Sequence, residues 1–285
     1  MHTNSCRVRL SEVQQDMAKL PGKTALTEAV ARLRRKSLPA RAVCITFDDG
    51  YANNLTVALP ILKARKLPAT VFVSTGFVGG ARMWNDTVIE SVRFAPSQLD
   101  LEPMGLGKYV LGSTDERRAA ITALIDRLKY KPPEERLMRV DDIARVVHLA
   151  PAHDVMMSDS QLRTLSAAGV EIGGHTVSHP ILTRLSDDQA RAEIANGRQQ
   201  LQEIIDAPVS LFAYPNGRPG QDYEQRHVKL VQSCGFDAAV STSWGACRAD
   251  TDIYQMPRVA PWDQTPARFA ARLASAYLSK VAAVA

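Results

Sequence analysis

With 285 residues the chain has room for one large domain or two small ones, and its 45% apolar and 23% charged residues suit a globular protein rather than a fibrous or low-complexity one. No apolar run reaches the roughly 18 residues that span a bilayer, so no transmembrane segment is expected. The formal charge of +5 is modest and spread along the chain; without a basic surface interleaved with aromatics, nucleic acid is not an expected partner.

Residues 1–20 are polar and mixed in charge, without the apolar centre of a signal peptide. A cytoplasmic location is therefore expected, a shortened start being the alternative. Apolar residues at helical spacing over 11–36, interrupted at Pro21-Gly22, predict two helices in a lead-in covering 1–37. The densest basic patch, Arg32-Leu33-Arg34-Arg35-Lys36, reads as a solvated helix end, with contact to an acidic partner as the alternative.

Val43 to Phe47 then reads as a strand buried on both faces. Cys44 lies within it. None of Cys6, Cys44, Cys234 and Cys247 belongs to a Cys-x-x-Cys pair, which points to free thiols in a reducing compartment. Residues 52–66 predict a helix with Leu55, Leu59 and Leu62 along one face, and 68–73 a second buried strand. Strand, helix and strand in such quick succession imply a parallel sheet.

From 74 to 153 the rhythm breaks into helical patterns near 87–94, 115–129 and 133–147, so an insertion over about 79–155 is predicted. Helices near 158–168, 187–205, 224–234 and 266–278 then alternate with strands near 169–174, 209–213, 236–241 and 255–260. One α/β domain over 38–285, built as an irregular barrel with the insertion after its second strand, fits this order.

Two strand ends carry chemistry-bearing residues. The first runs into Asp48-Asp49-Gly50, the later one into His175-Thr176-Val177-Ser178-His179-Pro180. In parallel folds, chemistry gathers where strands end and loops begin. Asp-Asp-Gly is also a good turn, and paired histidines also occur in cores and on surfaces. At i and i+4, however, the two imidazoles would share one face of a helical turn and could meet one metal. With one carboxylate they make a three-ligand site with a position open for water, and a second carboxylate can serve as base. Trp84, Trp244 and Trp262 offer flat faces for sugar rings, with core packing as the alternative. Trp84, opening the insertion, is the expected groove residue.

Thr46-Phe47-Asp48-Asp49-Gly50-Tyr51 together with His175-Thr176-Val177-Ser178-His179 resembles the first two motifs of the polysaccharide deacetylases. These are the carbohydrate esterase family 4 enzymes that share the NodB homology domain. The likeness runs from about Leu38 to Ala260. It implies a distorted (β/α)7-type barrel as a catalytic domain over 38–285, acting on N- or O-acetyl groups of acetylated carbohydrate. It implies that Asp49, His175 and His179 hold a divalent metal, that Asp48 is the general base, and that Tyr51, Tyr214 and Pro215 line the groove. Zinc is the default for such a ligand set, with cobalt, nickel, manganese and iron as alternatives.

The third motif of the family, usually Arg-x-Pro-Tyr-Gly, matches Ala213-Tyr214-Pro215-Asn216-Gly217 here. The backbone N–H of Asn216 is thus the implied oxyanion donor, although Pro-Asn-Gly is also a good turn. Ala213 replaces the usual arginine, and Arg258, at the end of a late strand, is expected to take over the orienting of the base. Phe212-Ala213-Tyr214-Pro215 and the segment around Arg258 resemble the branch of exopolysaccharide-modifying N-deacetylases. No histidine follows His227, and neither His148 nor His153 maps to the motif that usually supplies the general acid. An O-acetyl esterase acting on xylan-like polymers and a catalytically silent sugar-binding module stay open as alternatives.

Overall fold

The computed structural model describes residues 24–80, 82–150, 155–260, 263 and 265–278. The chain divides into two compact units, one of them the continuous segment Phe77–Ser158. No helix among the described residues is long and apolar enough to cross a membrane.

Among the described residues, the larger unit begins with α1 (Leu26–Arg34), followed by β1 (Ile45–Phe47). A π-helical turn, Asn54–Ala58, leads into α2 (Leu59–Ala64) and then β2 (Ala69–Val73). The first of the two helices expected in the lead-in lies outside the described residues. β2 is buried along its whole length, but every residue of β1 is only half-buried. The expectation of a strand covered on both faces fails for β1 because it is an outer strand of the sheet.

In the smaller unit, α3 (Trp84–Phe94) precedes a hairpin of β3 (Gln98–Asp100) and β4 (Lys108–Val110), then α4 (Thr114–Lys129) and α5 (Pro133–Val146). Val88, Val92, Leu101, Leu124, Leu128 and Ile143 form its fully buried core. Ser113 and Glu116 close a capping box at the start of α4, satisfying amides that a helix end leaves orphaned. The hairpin was not legible in advance.

The larger unit resumes with α6 (Asp159–Ala167), β5 (Glu171–Gly174), α7 (Asp187–Ile205), β6 (Leu211–Ala213), α8 (Gln225–Ser233), β7 (Ala238–Trp244), β8 (Met256–Arg258) and α9 (Pro266–Leu278). Its six strands pair in parallel in the order β1-β2-β5-β6-β7-β8. This is the α/β fold expected, a curled parallel sheet of the distorted-barrel type. Helices carry the crossovers as far as β7, whereas β7 passes to β8 through an irregular loop, and parallel pairing brings all strand C-termini to one rim. At the opposite end, Leu26 and Val30 of α1 pack on Phe72, Leu211, Ala238 and Met256. Glu171, the first residue of β5, accepts the backbone N–H groups of Leu26 (2.9 Å) and Thr27 (3.2 Å) and the hydroxyl of Thr70 (2.7 Å). A carboxylate at the positive end of α1 thus fixes that helix to the sheet.

Candidate active site and metal centre

Three loops at the rim hold the expected residues. After β1 the chain turns sharply, with Gly50 N–H bonded to the Asp48 carbonyl at 3.0 Å and Asp49 at φ +74°. Gly50 is at φ +93°, and a Cβ there would lie 2.9 Å from Val73, so the loop can sit tightly on β2 only with glycine. The Asp49 carbonyl accepts from Ser74 N–H at 3.2 Å, tying this loop to the end of β2.

The histidine loop is not helical. It is an irregular bend in which Thr176 (φ +67°) and His179 (φ +52°) are left-handed. Thr176, being β-branched, is badly suited to that region, which rules out the helical turn read from the i, i+4 spacing. Among the described residues, four of the nine non-glycine residues with positive φ, namely Asp49, Thr176, His179 and Asn216, belong to these three loops. Each costs about 1–3 kcal/mol and persists only where surrounding bonds impose it.

The bend still brings the rings together. His175 Nε2 is 3.5 Å and His179 Nε2 3.4 Å from Asp49 Oδ1, and the three donor atoms lie within 4.8 Å of one another. A tetrahedron with arms of about 2.0–2.2 Å has edges of roughly 3.3–3.6 Å, so the carboxylate–imidazole spacings suit one small divalent cation. The tautomer of His175 agrees. Its Nδ1 is 2.7 Å from the Ala213 carbonyl, which can only accept, so Nδ1 carries a hydrogen and Nε2 is the nitrogen left for a cation once it gives up the proton it shares with Asp49. The residues present fit a divalent metal.

Asp48 lies beside this cluster, facing Arg258. The guanidinium grips it with two parallel bonds, Nη1 to Oδ1 at 2.7 Å and Nη2 to Oδ2 at 2.8 Å. Its Nε donates to the Ser241 carbonyl at 2.9 Å, and Nη1 also reaches Thr46 Oγ1 at 3.3 Å. Arg258 at the end of β8 therefore bridges to the end of β1, joining the two outer strands of the sheet.

Burial pushes the Asp48 carboxyl up, but the Arg258 charge and hydrogen bonds outweigh it and hold the group below the ordinary range. Asp49 is likewise raised by burial and lowered more strongly by the hydrogen bond from His175 and the charges of both imidazoles. His175 is lowered by burial yet raised overall by Asp49 and Asp48.

Asn216 sits at φ +58° in a tight turn where Gly217 N–H bonds the Pro215 carbonyl at 2.6 Å, and its own carbonyl accepts from Thr242 Oγ1 at 2.6 Å. Tyr51 is half-buried directly after the Asp48 turn. The other expected groove residues are buried in this structure. Trp84 is 6% exposed in the core of the smaller unit, with Arg136 stacked 4.8 Å over its ring, because the apolar face of α3 needed a large side chain there. Tyr214 is fully buried, stacked on Tyr223 at 3.8 Å with its hydroxyl donating to the Tyr254 carbonyl, and Pro215 is buried next to it. Among the described residues, Trp244 is the exposed indole, 38% exposed at the end of β7 and paired in register with Arg258. His227 is buried in α8 and His148 exposed in the smaller unit, while His153 and Trp262 lie outside the described residues.

Sequence reasoning missed Glu193. Its carboxylate accepts Val177 N–H (2.9 Å), Ser178 N–H (2.8 Å) and the Ser178 hydroxyl (2.7 Å). A signal was present in Gly197, a glycine inside a helix, where a Cβ would lie 3.0 Å from the Thr176 carbonyl.

The family model described as polysaccharide deacetylase matches residues 35–100 and 129–239, more than half of the chain. The Bacillus subtilis protein YxkH, which bears the polysaccharide deacetylase name, is 23% identical over 261 residues. That match covers 90% of this chain and 66% of the relative, so the chain spans just under two thirds of its length. Among solved structures, the Streptococcus pyogenes deacetylase PplD in complex with acetate is similar with a TM-score of 0.60 and 19% identity, over 93% of this chain and 85% of that one. IcaB from Ammonifex degensii is similar with a TM-score of 0.58 and 20% identity, over 95% and 93%. At such identities these structures speak for the fold alone, whereas the family match speaks for descent: the chain belongs to the polysaccharide deacetylase family.

Proposed function

We propose that this chain is a metal-dependent N-deacetylase acting on the acetamido sugars of a polysaccharide or its precursor, with residues 38–285 as the catalytic domain. The observation that carries the reading is Asp48, held ionised and aimed by a two-bond arginine clamp, beside two imidazoles and a carboxylate spaced for one cation. Held by Asp49, His175 and His179, a divalent cation, with zinc as our assignment, would supply the Lewis acidity that polarises an acetyl carbonyl and acidifies water.

The chain's own residues divide the remaining work. Asp48, free of the ligand set, takes the proton of the attacking water, and its low pKa keeps it ready to accept one. Arg258 keeps both Asp48 oxygens in a fixed plane, which a lysine could not do. The N–H of Asn216 donates to the oxyanion as the carbonyl carbon becomes tetrahedral. Trp244 offers an exposed indole face, beside Arg258, on which a pyranose can rest. Tyr51 is assigned to the same groove.

Acetate release from chitooligosaccharides and from acetylated xylan, with and without a chelator, tests the proposal. We expect acetate and free amine from the chitooligosaccharides, abolished by chelation and restored by zinc. Release from xylan alone would move the reading to an O-acetyl esterase. Binding without any acetate would mean a silent sugar-binding module.

A further inference from the structure

We propose that Glu193, on α7, is a positioning residue that sets how tightly the histidine pair holds its cation. The inference rests on the metal reading above and adds a residue outside the ligand set. From His175 to His179 the chain turns through two left-handed residues that are not glycine, Thr176 and His179 itself, a path it would not keep unaided. Its middle is held by one carboxylate. Two successive amides, of Val177 and Ser178, point at Oε2, and the Ser178 hydroxyl points at Oε1. Bonds to an ionised acceptor are about twice as strong as neutral ones, and three converge here.

Geometry explains why this helix can do it. Residues 193, 197 and 200 of α7 share one face. Glu193 presents the carboxylate, and Gly197 leaves the gap into which Thr176 fits. Gln200 takes the Thr75 hydroxyl at 2.5 Å, while Thr75 N–H bonds the Thr176 carbonyl at 3.2 Å. One helix face thus shapes the loops after both β2 and β5. His175 is fixed independently, by the Ala213 carbonyl and by its own N–H bonded to Val73 at 3.1 Å. His179 N–H donates to Thr176 Oγ1 at 3.1 Å across the bend whose middle Glu193 holds, so Glu193 acts on the distance between the two ligands through that bend.

The test is titration of metal-free protein with Co2+, followed by its visible absorption bands, for the unaltered chain, Glu193→Gln and Ser178→Ala. Glutamine keeps the size but cannot accept from all three donors. Glu193→Gln should bind Co2+ roughly 10–100-fold more weakly, the usual effect of losing an outer-shell partner. The far-UV circular dichroism of the metal-free form should stay the same. Ser178→Ala removes one bond of the three and should weaken binding less. Should Glu193→Gln not fold, Ser178→Ala carries the test by itself. Co2+ affinity in the tested variants equal to that of the unaltered chain would overturn the proposal. An unaltered chain that takes up no Co2+ would overturn the metal reading, and this inference with it.

Discussion

The two ends of the parallel sheet use one chemical device for different purposes. At the strand N-termini, Glu171 collects the amides of Leu26 and Thr27 and the hydroxyl of Thr70. At the rim, Glu193 collects the amides of Val177 and Ser178 and the hydroxyl of Ser178. Each carboxylate accepts two consecutive N–H groups and one O–H. The segments they hold differ. Glu171 anchors the start of a regular helix whose backbone needs no strain, whereas Glu193 holds a loop with left-handed residues that carries two imidazoles. Identical hydrogen bonds therefore serve stability at one end and geometry at the other. What the bonds restrain decides their role, not their number or length.

This contrast can be broken in graded steps. The largest effect belongs to the rim. Asp48→Asn should lower turnover by roughly 10²–10⁴-fold, the usual worth of a positioned base, while elemental analysis finds the metal retained; His179→Ala should lose metal and turnover together. Arg258→Ala comes next, with kcat lower by roughly 10–100-fold and metal content unchanged, and Arg258→Lys should recover only part of it. Near-normal kcat in Arg258→Ala would mean that the Asp48 clamp is ornamental to the chemistry.

At the other end the signs reverse. Glu171→Gln should cost about 2 kcal/mol of folding stability, read from denaturant melts, and leave Co2+ affinity and kcat intact. A catalytic defect there without a stability loss would erase the distinction between the two ends. The smallest effect lies away from both, at His227. Its Nδ1 accepts the Glu224 N–H at 2.9 Å, so the ring must be neutral, and burial pushes its pKa down to about 4. The unfolded chain takes up the proton first. Stability present above pH 6.5 is therefore lost progressively as pH falls toward 4. His227→Gln, which can still cap the helix, should flatten that part of the pH–stability curve.

Most of the larger unit was legible because its signals are local. Ser186 and Gln189 flank the start of a long amphipathic run, and α7 spans the expected Asp187–Ile205. Buried β2 announced itself as a short run of strand-forming residues, apolar except for Thr70. The β3–β4 hairpin did not, since its strands are three residues long and mostly exposed. The half-exposure of β1 was invisible for a different reason: an outer strand has the same apolar composition as a central one, and only the sheet order tells them apart. Spacing located the histidines but misjudged their backbone, because i, i+4 describes a helix and Thr176 had left helical space. Trp84 looked available only because sequence does not show what Arg136 covers. Glu193 was hidden in plain composition, as a glutamate on an amphipathic helix ordinarily faces solvent.

The bridge from Arg258 to Asp48 makes one part of the site a gauge of local breathing. Outer strands of a sheet open before its middle, at a free energy below that of global unfolding. Here both outer strands end in the same ion pair, one providing the carboxylate and the other the guanidinium. Fraying of either one releases the carboxylate from its plane while β2, β5, β6 and β7 remain folded. With Asp48 as the proposed base, heat or denaturant should abolish turnover before the helices melt, at the point where amides of β1 and β8 begin to exchange rather than where secondary structure is lost.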